Sequence, residues 1–306
     1  MTVKASTHQT LTVVILTKNE ARHIERCIRS VAALAKRVCV VDSGSTDDTV
    51  SRARAMGADV HNHPWTNHAT QFNWALDNLE IATDWVMRLD ADEYLDSTLA
   101  ASLAQFLAAP PPATNAAIFK RQIVFLDQPI RHGFFYPQHV VRLWRNGQGR
   151  VEERWMDEHL LISEEKSVIL DGDLVDHNLN DLAWWTQKHN GYAIREVYDI
   201  VNASEKGPTT GANGLSARAR AKRLAKTKLY ARIPRIIRPT LYFLYRYILG
   251  AGFLDGRAGF YFHFLQAYWY RTLVDAKLLE LEKRAAREGL SAHALLVREG
   301  ILPPNP

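Results

Sequence analysis

Asp90, Ala91, Asp92 and Glu93 follow directly on the apolar run WVMRL at 85–89. In an extended chain alternate side chains share a face, so Asp90 and Asp92 converge on one side just past a strand end. Two carboxylates placed there suit a hard divalent cation, Mg2+ or Mn2+, that takes oxygen ligands and bridges to a phosphate. A second acid, Asp42, ends the run VCVV inside VVDSGSTDDT at 40–49, where its carboxylate could accept hydrogen bonds from a base or a ribose. Ser43 and Gly44 lead from it toward a helix, and Ser45 with Asp48 fits a capping box. A third group, Asp157, Glu158 and His159, lies well downstream and is followed by Asp176 and His177. One of those carboxylates could act as a general base toward an attacking hydroxyl. His177 could complete a metal shell, although a histidine within LVDHNL also reads as a hydrogen-bonded core residue.

Positioning such groups requires a scaffold, and the first hundred residues alternate between strand and helix signals. LTVVIL at 11–16 has the continuous β-branched character of a strand buried on both faces. Ile24, Cys27, Ile28, Val31 and Leu34 recur on one face of a helix. Strands follow at 38–41, 58–61 and 85–89, with helices at 45–57, 67–79 and 97–107. This βαβ series predicts a doubly wound parallel sheet whose ligand lies off the C-terminal strand ends, where TKNE, DSGSTDD and DADE all fall. After the break APPPAT, residues to about 180 read as an antiparallel extension. From Leu182 the chain reads mainly helical, and the expected division is 1–205 and 206–306. Gln71, within WTNHATQFNWAL, is placed either to meet a donor molecule or to sit on a helix, while Phe72, Ala75, Leu76 and Leu79 at helical spacing are core.

Composition narrows the class. Of 306 residues 47% are hydrophobic and 23% charged, which fits a folded globular protein. The net charge of +5 conceals an asymmetry, because 206–254 holds 11 Lys/Arg and no Asp/Glu, leaving 27 basic against 33 acidic residues elsewhere. Cations interleaved with Leu, Tyr and Ile, followed by apolar stretches too short to span a bilayer, point to an anionic membrane surface rather than nucleic acid. Cys27 and Cys39 make no disulfide framework and read as small hydrophobes, and 1–10 shows no apolar signal segment. The expected location is therefore cytoplasmic, peripheral to the inner face of the cytoplasmic membrane. The absence of G-x-G-x-x-G and G-x-x-x-x-G-K-[ST] disfavours a dehydrogenase or a P-loop NTPase.

Four blocks in order, LTVVILTKNEARHIERCIRSV, VVDSGSTDDT, WTNHATQFNWAL and WVMRLDADEYL, resemble the inverting family 2 glycosyltransferases of GT-A fold. RLWR at 142–145, DEHL at 157–160, DH at 176–177 and GFLDGRAGF at 252–260 resemble the bacterial subgroup that builds lipopolysaccharide core and related surface polysaccharides. The resemblance implies a Rossmann-like mixed sheet flanked by helices, with a helical C-terminal extension. It implies that Thr17, Asn19, Glu20, Asp42, Ser43 and Gly44 line the nucleotide, and that Asp90, Ala91 and Asp92 handle the ribose and a metal-bound diphosphate. Glu158 falls on the catalytic base, with Asp157 as the fallback, because the acidic pair here runs Asp-Glu where the family has Glu-Asp. The implied reaction moves a sugar, most simply from a UDP-hexose, to a lipid-linked saccharide. The competing classes are a nucleotide-sugar-binding protein without turnover and a nucleotidyltransferase.

Overall fold

The computed structural model describes residues 9–152, 160–162, 166–206 and 233–302. Among these, residues up to Leu179 form one compact unit and those from Asn180 another.

The first unit is built on β1 (Leu11–Thr17), α1 (Ile24–Val31), β2 (Arg37–Asp42), α2 (Thr49–Ala55), β3 (Asp59–Asn62), α3 (His68–Asn78) and β4 (Trp85–Asp90). The chain continues through β5 (Glu93–Leu95), α4 (Ser97–Ala108), β6 (Ala116–Phe125), β7 (Gln128–Pro129), β8 (Gln138–Arg145), the short pair β9 (Arg150–Val151) and β10 (Leu160–Leu161), and β11 (Ser167–His177). The main sheet runs β3-β2-β1-β4-β8-β6-β11-β5. Strands β1 to β4 are parallel, as the alternation predicts. The antiparallel reading of the following segment holds only in part: β8 is antiparallel to β4 and β6, but β11 runs parallel to β6.

Every residue of β1 is buried, which accounts for its unbroken apolar run. One face packs Val13 and Ile15 against Ile24, Cys27 and Ile28 of α1 and Leu99 and Leu103 of α4. The other packs Val14 and Val41 against Phe72, Ala75 and Leu79 of α3 and Trp144 of β8. Asn67 and Asp96 cap α3 and α4 by accepting from the backbone amides of Thr70 and Leu99, each at 2.7 Å. Within β11, Gly172 sits at φ +91° in a bulge, and a Cβ there would lie 2.0 Å from the Leu99 amide nitrogen.

Topology forces this sheet to curl. Strands β4 and β5 are joined by Ala91 and Asp92 alone, so Asp90 and Glu93 are at most about 11 Å apart along the chain. In the sheet β8, β6 and β11 lie between those two strands, a flat separation of about 19 Å. The sheet must therefore bend back on itself at this end, bringing one residue from each intervening strand toward the DADE turn.

In the second unit α5 (Leu182–Lys206) packs through Ala193, Val197 and Val201 on α8 (Tyr270–Arg287) and α9 (Ala292–Arg298). Between these lie α6 (Arg238–Leu244), a π-helical turn at Tyr245–Leu249, a 3-10 turn at Gly252–Asp255, α7 (Gly256–His263) and a second π-helical segment, Phe264–Trp269. Among the described residues no helix is long and apolar enough to cross a membrane.

Candidate functional site

The loops after β1 and β2 lie side by side and are joined by their own polar groups. Asn19, at φ +58°, donates its amide to Ser45 Oγ at 2.8 Å and accepts from the Thr46 amide at 2.8 Å through its side chain. The Glu20 amide donates to Thr49 Oγ1 at 2.7 Å and that of Ala21 to Asp47 Oδ2 at 3.1 Å. Thr17, Asn19, Glu20, Asp42, Ser43 and Gly44 are thus brought to one edge of the sheet.

Asp42 is the centre of this arrangement and is 3% exposed. It accepts from Thr17 Oγ1 at 2.9 Å, the Gly44 amide at 2.9 Å, the Ser45 amide at 2.7 Å and Ser45 Oγ at 2.5 Å. Four donors fill the four acceptor positions of a carboxylate. Ser45 consequently does not cap α2 as its spacing suggests. The start of α2 is held by Asp47, which accepts from the Thr49 amide and hydroxyl. Gln71 is fully buried, donating to Ser43 Oγ at 2.8 Å and lying 3.2 Å from His63 Nδ1, so it supports the DSGS loop from behind.

At the DADE turn the curl of the sheet produces a charge row that the sequence does not display. Arg142 Nη2 of β8 lies 2.9 Å from Asp90 Oδ2 and 2.5 Å from Glu93 Oε1. Arg121 of β6 is 3.5 Å from Glu93 and also pairs with Asp176 of β11. Arg88 closes on the other oxygen of Asp90 at 3.5 Å. Burial pushes the Glu93 carboxyl up to about 7, with Asp90 adding to it and Arg142 opposing. Asp90 is held well below the usual carboxylate range, against its own burial, by Arg142 and Arg88. Beneath the turn burial raises the Cys27 thiol well above its ordinary value, and Glu93, Asp92 and Asp90 reinforce the shift, so Cys27 is a protonated core residue.

Asp92 is placed differently. Its Oδ2 accepts from Asn178 Nδ2 at 3.0 Å, and its carbonyl accepts from the His177 amide at 3.1 Å. Among the described residues no hydrogen-bond partner occupies Oδ1. The segment carrying Asn178 is docked on α1: His23 Nε2 accepts from the Leu179 amide at 2.8 Å, which leaves Nδ1 protonated and donating to Glu20 at 2.6 Å. Arg26 donates to the His177 carbonyl and covers the Tyr94 ring at 4.6 Å. His177 itself faces Asp127 through Nε2 at 3.0 Å and Arg26 through Nδ1 at 3.3 Å. Among the described residues no three His, Cys, Asp or Glu side chains gather as a metal cage.

Asp157 and Glu158 lie outside the described residues. Their flanks are fixed: Val151 pairs with Leu160 across β9 and β10, and the Asn73 side chain of α3 clamps both backbone groups of Val151 at 2.9 and 3.0 Å. Most of the basic run, 207–232, is likewise outside them. Sequence reasoning missed Arg142, Arg121 and Asn178. A faint signal existed for the first, since a charged residue interrupts the apolar alternation of VVRLW.

Residues 12–163 match the family model described as Glycosyl transferase family 2. The curated relatives include proteins called "Uncharacterized glycosyltransferase" from Rickettsia bellii and Rickettsia felis, each 46% identical over 85 residues. That stretch is 28% of this chain and 28% and 29% of theirs, so the chain matches less than a third of the length of these relatives. Solved structures include glucosyl-3-phosphoglycerate synthase from Mycobacterium tuberculosis with Mn2+, UDP and glucosyl-3-phosphoglycerate, and the same protein with Mg2+ and UDP. Both are 26% identical over 38% of this chain and 44% of that one, with a TM-score of 0.32. The first unit is a mixed sheet flanked by helices, as the resemblance implies, and helices make up the C-terminal part. Over residues 12–163, just under half of its length, this chain is thus similar to the glycosyl transferase family 2 domain.

Proposed function

We propose that the protein is an inverting, metal-dependent hexosyltransferase. In this reading it moves a sugar from a nucleotide diphosphate donor, UDP-hexose foremost, to a lipid-linked saccharide in lipopolysaccharide core or surface polysaccharide synthesis. The observation that carries it is Asp92: within the stretch that matches the family 2 model, at the C-terminal end of a central strand, it keeps one carboxylate oxygen uncommitted among the described residues while its other oxygen and its backbone are held by the 177–178 segment.

The residues fit a divalent cation in one way. Mg2+ and Mn2+ are commonly held by one or two carboxylates with substrate phosphates completing the shell, and Asp92 Oδ1 is available for that. Both oxygens of Asp90 face guanidinium groups, and His177 is engaged with Asp127 and Arg26, so neither competes for the ion in this arrangement. The cation, when bound, supplies Lewis-acid neutralisation of the diphosphate leaving group. The chain's own groups do the rest. Thr17, Asn19, Glu20, Ser43 and Gly44 line the nucleotide, Asp42 holds their loops in register, and Asn178 aims Asp92. Glu158, or Asp157 in its place, takes the proton of the acceptor hydroxyl as it attacks in line, which inverts the anomeric carbon. Residues 1–205 then act as the catalytic part and 206–306 as the part that meets an anionic membrane at the cytoplasmic face.

The test is a panel of nucleotide sugars scored for thermal stabilisation with and without Mg2+ or Mn2+. Stabilisation by one donor, dependent on the cation and absent in Asp92→Asn, supports the reading. Cation-independent stabilisation, or none by any donor, overturns it.

A further inference from the structure

The apolar surface of the second unit is distributed unlike that of a water-soluble helical bundle. Of the twenty large apolar side chains exposed among the described residues, twelve lie between Ile236 and Phe264. Along α6 and its π-helical continuation the exposed positions include Leu241, Leu244, Ile248 and Leu249, a stripe at helical spacing. An apolar stripe of this kind ordinarily faces the core; here Ile248 is 56% and Leu249 73% exposed. The second arm of the hairpin, α7 with the turn before it, continues the surface with Leu254 and Tyr261, 61% and 54% exposed.

The two arms form a built structure. Phe243 meets Phe260 and Phe264 edge-on at 6.2 Å, and Tyr247 meets Phe260 at 5.6 Å. The turn of the GFLDGRAGF motif is closed by buried Asp255 and His263, 3.5 Å apart. A Cβ at Gly252 would stand 2.6 Å from the His263 ring and one at Gly259 2.3 Å from Asp255 Cβ, so both glycines are required by close approach. The motif therefore shapes the hairpin, and the hairpin presents its apolar face outward.

Charge identifies the occupant. Asp255 is the only acid between Lys206 and Asp275, and it is buried, whereas the same stretch carries Arg257 on the surface and follows the basic run that begins at Lys206. Arg235 and Arg238 are already paired with Glu282 and Asp275 of α8, and a second copy seated symmetrically on this face would bring Arg257 against a like charge with no exposed acid of the hairpin itself to answer it. An anionic bilayer offers the complement, acyl chains for the apolar face and headgroups for its rim.

We propose that the Ile236–Phe264 hairpin seats in the plane of an anionic lipid bilayer, its Leu241–Leu249 stripe and the Leu254 and Tyr261 side chains entering the acyl boundary. This rests on the membrane part of the reading above and not on its transferase chemistry. It adds to the electrostatic attraction an apolar component that salt does not remove.

The test uses the full chain with vesicles of phosphatidylcholine containing phosphatidylglycerol, without donor or acceptor, so that its failure leaves the transferase reading standing. The wild type should keep measurable partition in 0.5 M salt, and Ile248→Ser with Leu249→Ser should lower partition at least tenfold with an unchanged unfolding midpoint. Because Cys27 and Cys39 are both buried, a Leu249→Cys variant takes an environment-sensitive fluorophore at one place. Its emission should shift blue on vesicle addition, while a label at Arg29→Cys should not shift. Loss of all wild-type binding in high salt, no blue shift at position 249, or a dimer that the serine pair converts to monomer would each overturn the proposal.

Discussion

Arg142 on β8 reaches Asp90 at the end of β4 with an ion pair of 2.9 Å, and the same nitrogen reaches Glu93 on the far edge strand of the sheet. One guanidinium thus ties together two carboxylates that the sheet order separates by three strands. Arg142→Ala leaves a buried Glu93 and a half-buried Asp90 without their shared cation, and removing one member of such a network costs about 3 to 5 kcal/mol. Urea unfolding should show that loss. Arg142→Lys, which keeps charge but not the planar fork, should fall between the two.

Asp92 is held by Asn178, and Asn178→Ala should release its carboxylate without removing it. The expected result is weaker cation activation, by about tenfold or less, with a secondary structure spectrum like the wild type. Asp92→Asn should instead abolish cation-dependent donor binding, measured by calorimetry. Equal effects of the two substitutions would show that the Asn178 bond does not aim Asp92.

Glu158→Gln separates chemistry from binding. It should lose transfer while retaining nucleotide-sugar affinity, because a general base acts on the acceptor proton and not on the donor. If Asp157→Asn produces that pattern and Glu158→Gln does not, the two roles exchange.

His189 gives the second unit a pH dependence. Stacked on Trp185 at 3.5 Å and largely buried, its imidazole is pushed down to about 4 by burial, so the folded state favours the neutral ring. The unfolded chain therefore binds more protons below the ordinary value of 6.5. The stability this group provides is complete above that value and is lost as pH falls toward 4. Unfolding midpoints measured across that window should decline in the wild type and decline less in His189→Gln.

Gly172→Ala should be among the most destabilising single substitutions in the first unit. It combines a Cβ 2.0 Å from the Leu99 backbone with a φ of +91°. Thermal unfolding should report a drop larger than the ~1 kcal/mol expected of an ordinary loop glycine, or failure to fold.

Local pattern was enough to locate β1 to β4, their intervening helices and the three polar loops at the strand ends. These depend on apolar periodicity, caps and turn residues, which act over a few neighbours in the chain. The sequence also marked Asp42, Asp90 and Asp92 as acids at strand termini, but it could not distinguish their states. Asp42 is saturated by four internal donors, Asp90 is neutralised by arginines, and of the three Asp92 keeps an oxygen open among the described residues. The neighbouring β1 and β2 loops saturate Asp42, whereas Asp90 and Asp92 differ because a two-residue link between β4 and β5 must span the width of three intervening strands, and the curl this imposes brings Arg142, Arg121 and Asn178 to the turn from 49, 28 and 85 residues beyond Glu93. The sequence likewise showed apolar stretches after the basic run that are too short to span a bilayer, whereas only packing revealed that the apolar side chains of 241–249 point away from the core. Which side of a helix is covered depends on what the rest of the chain places against it.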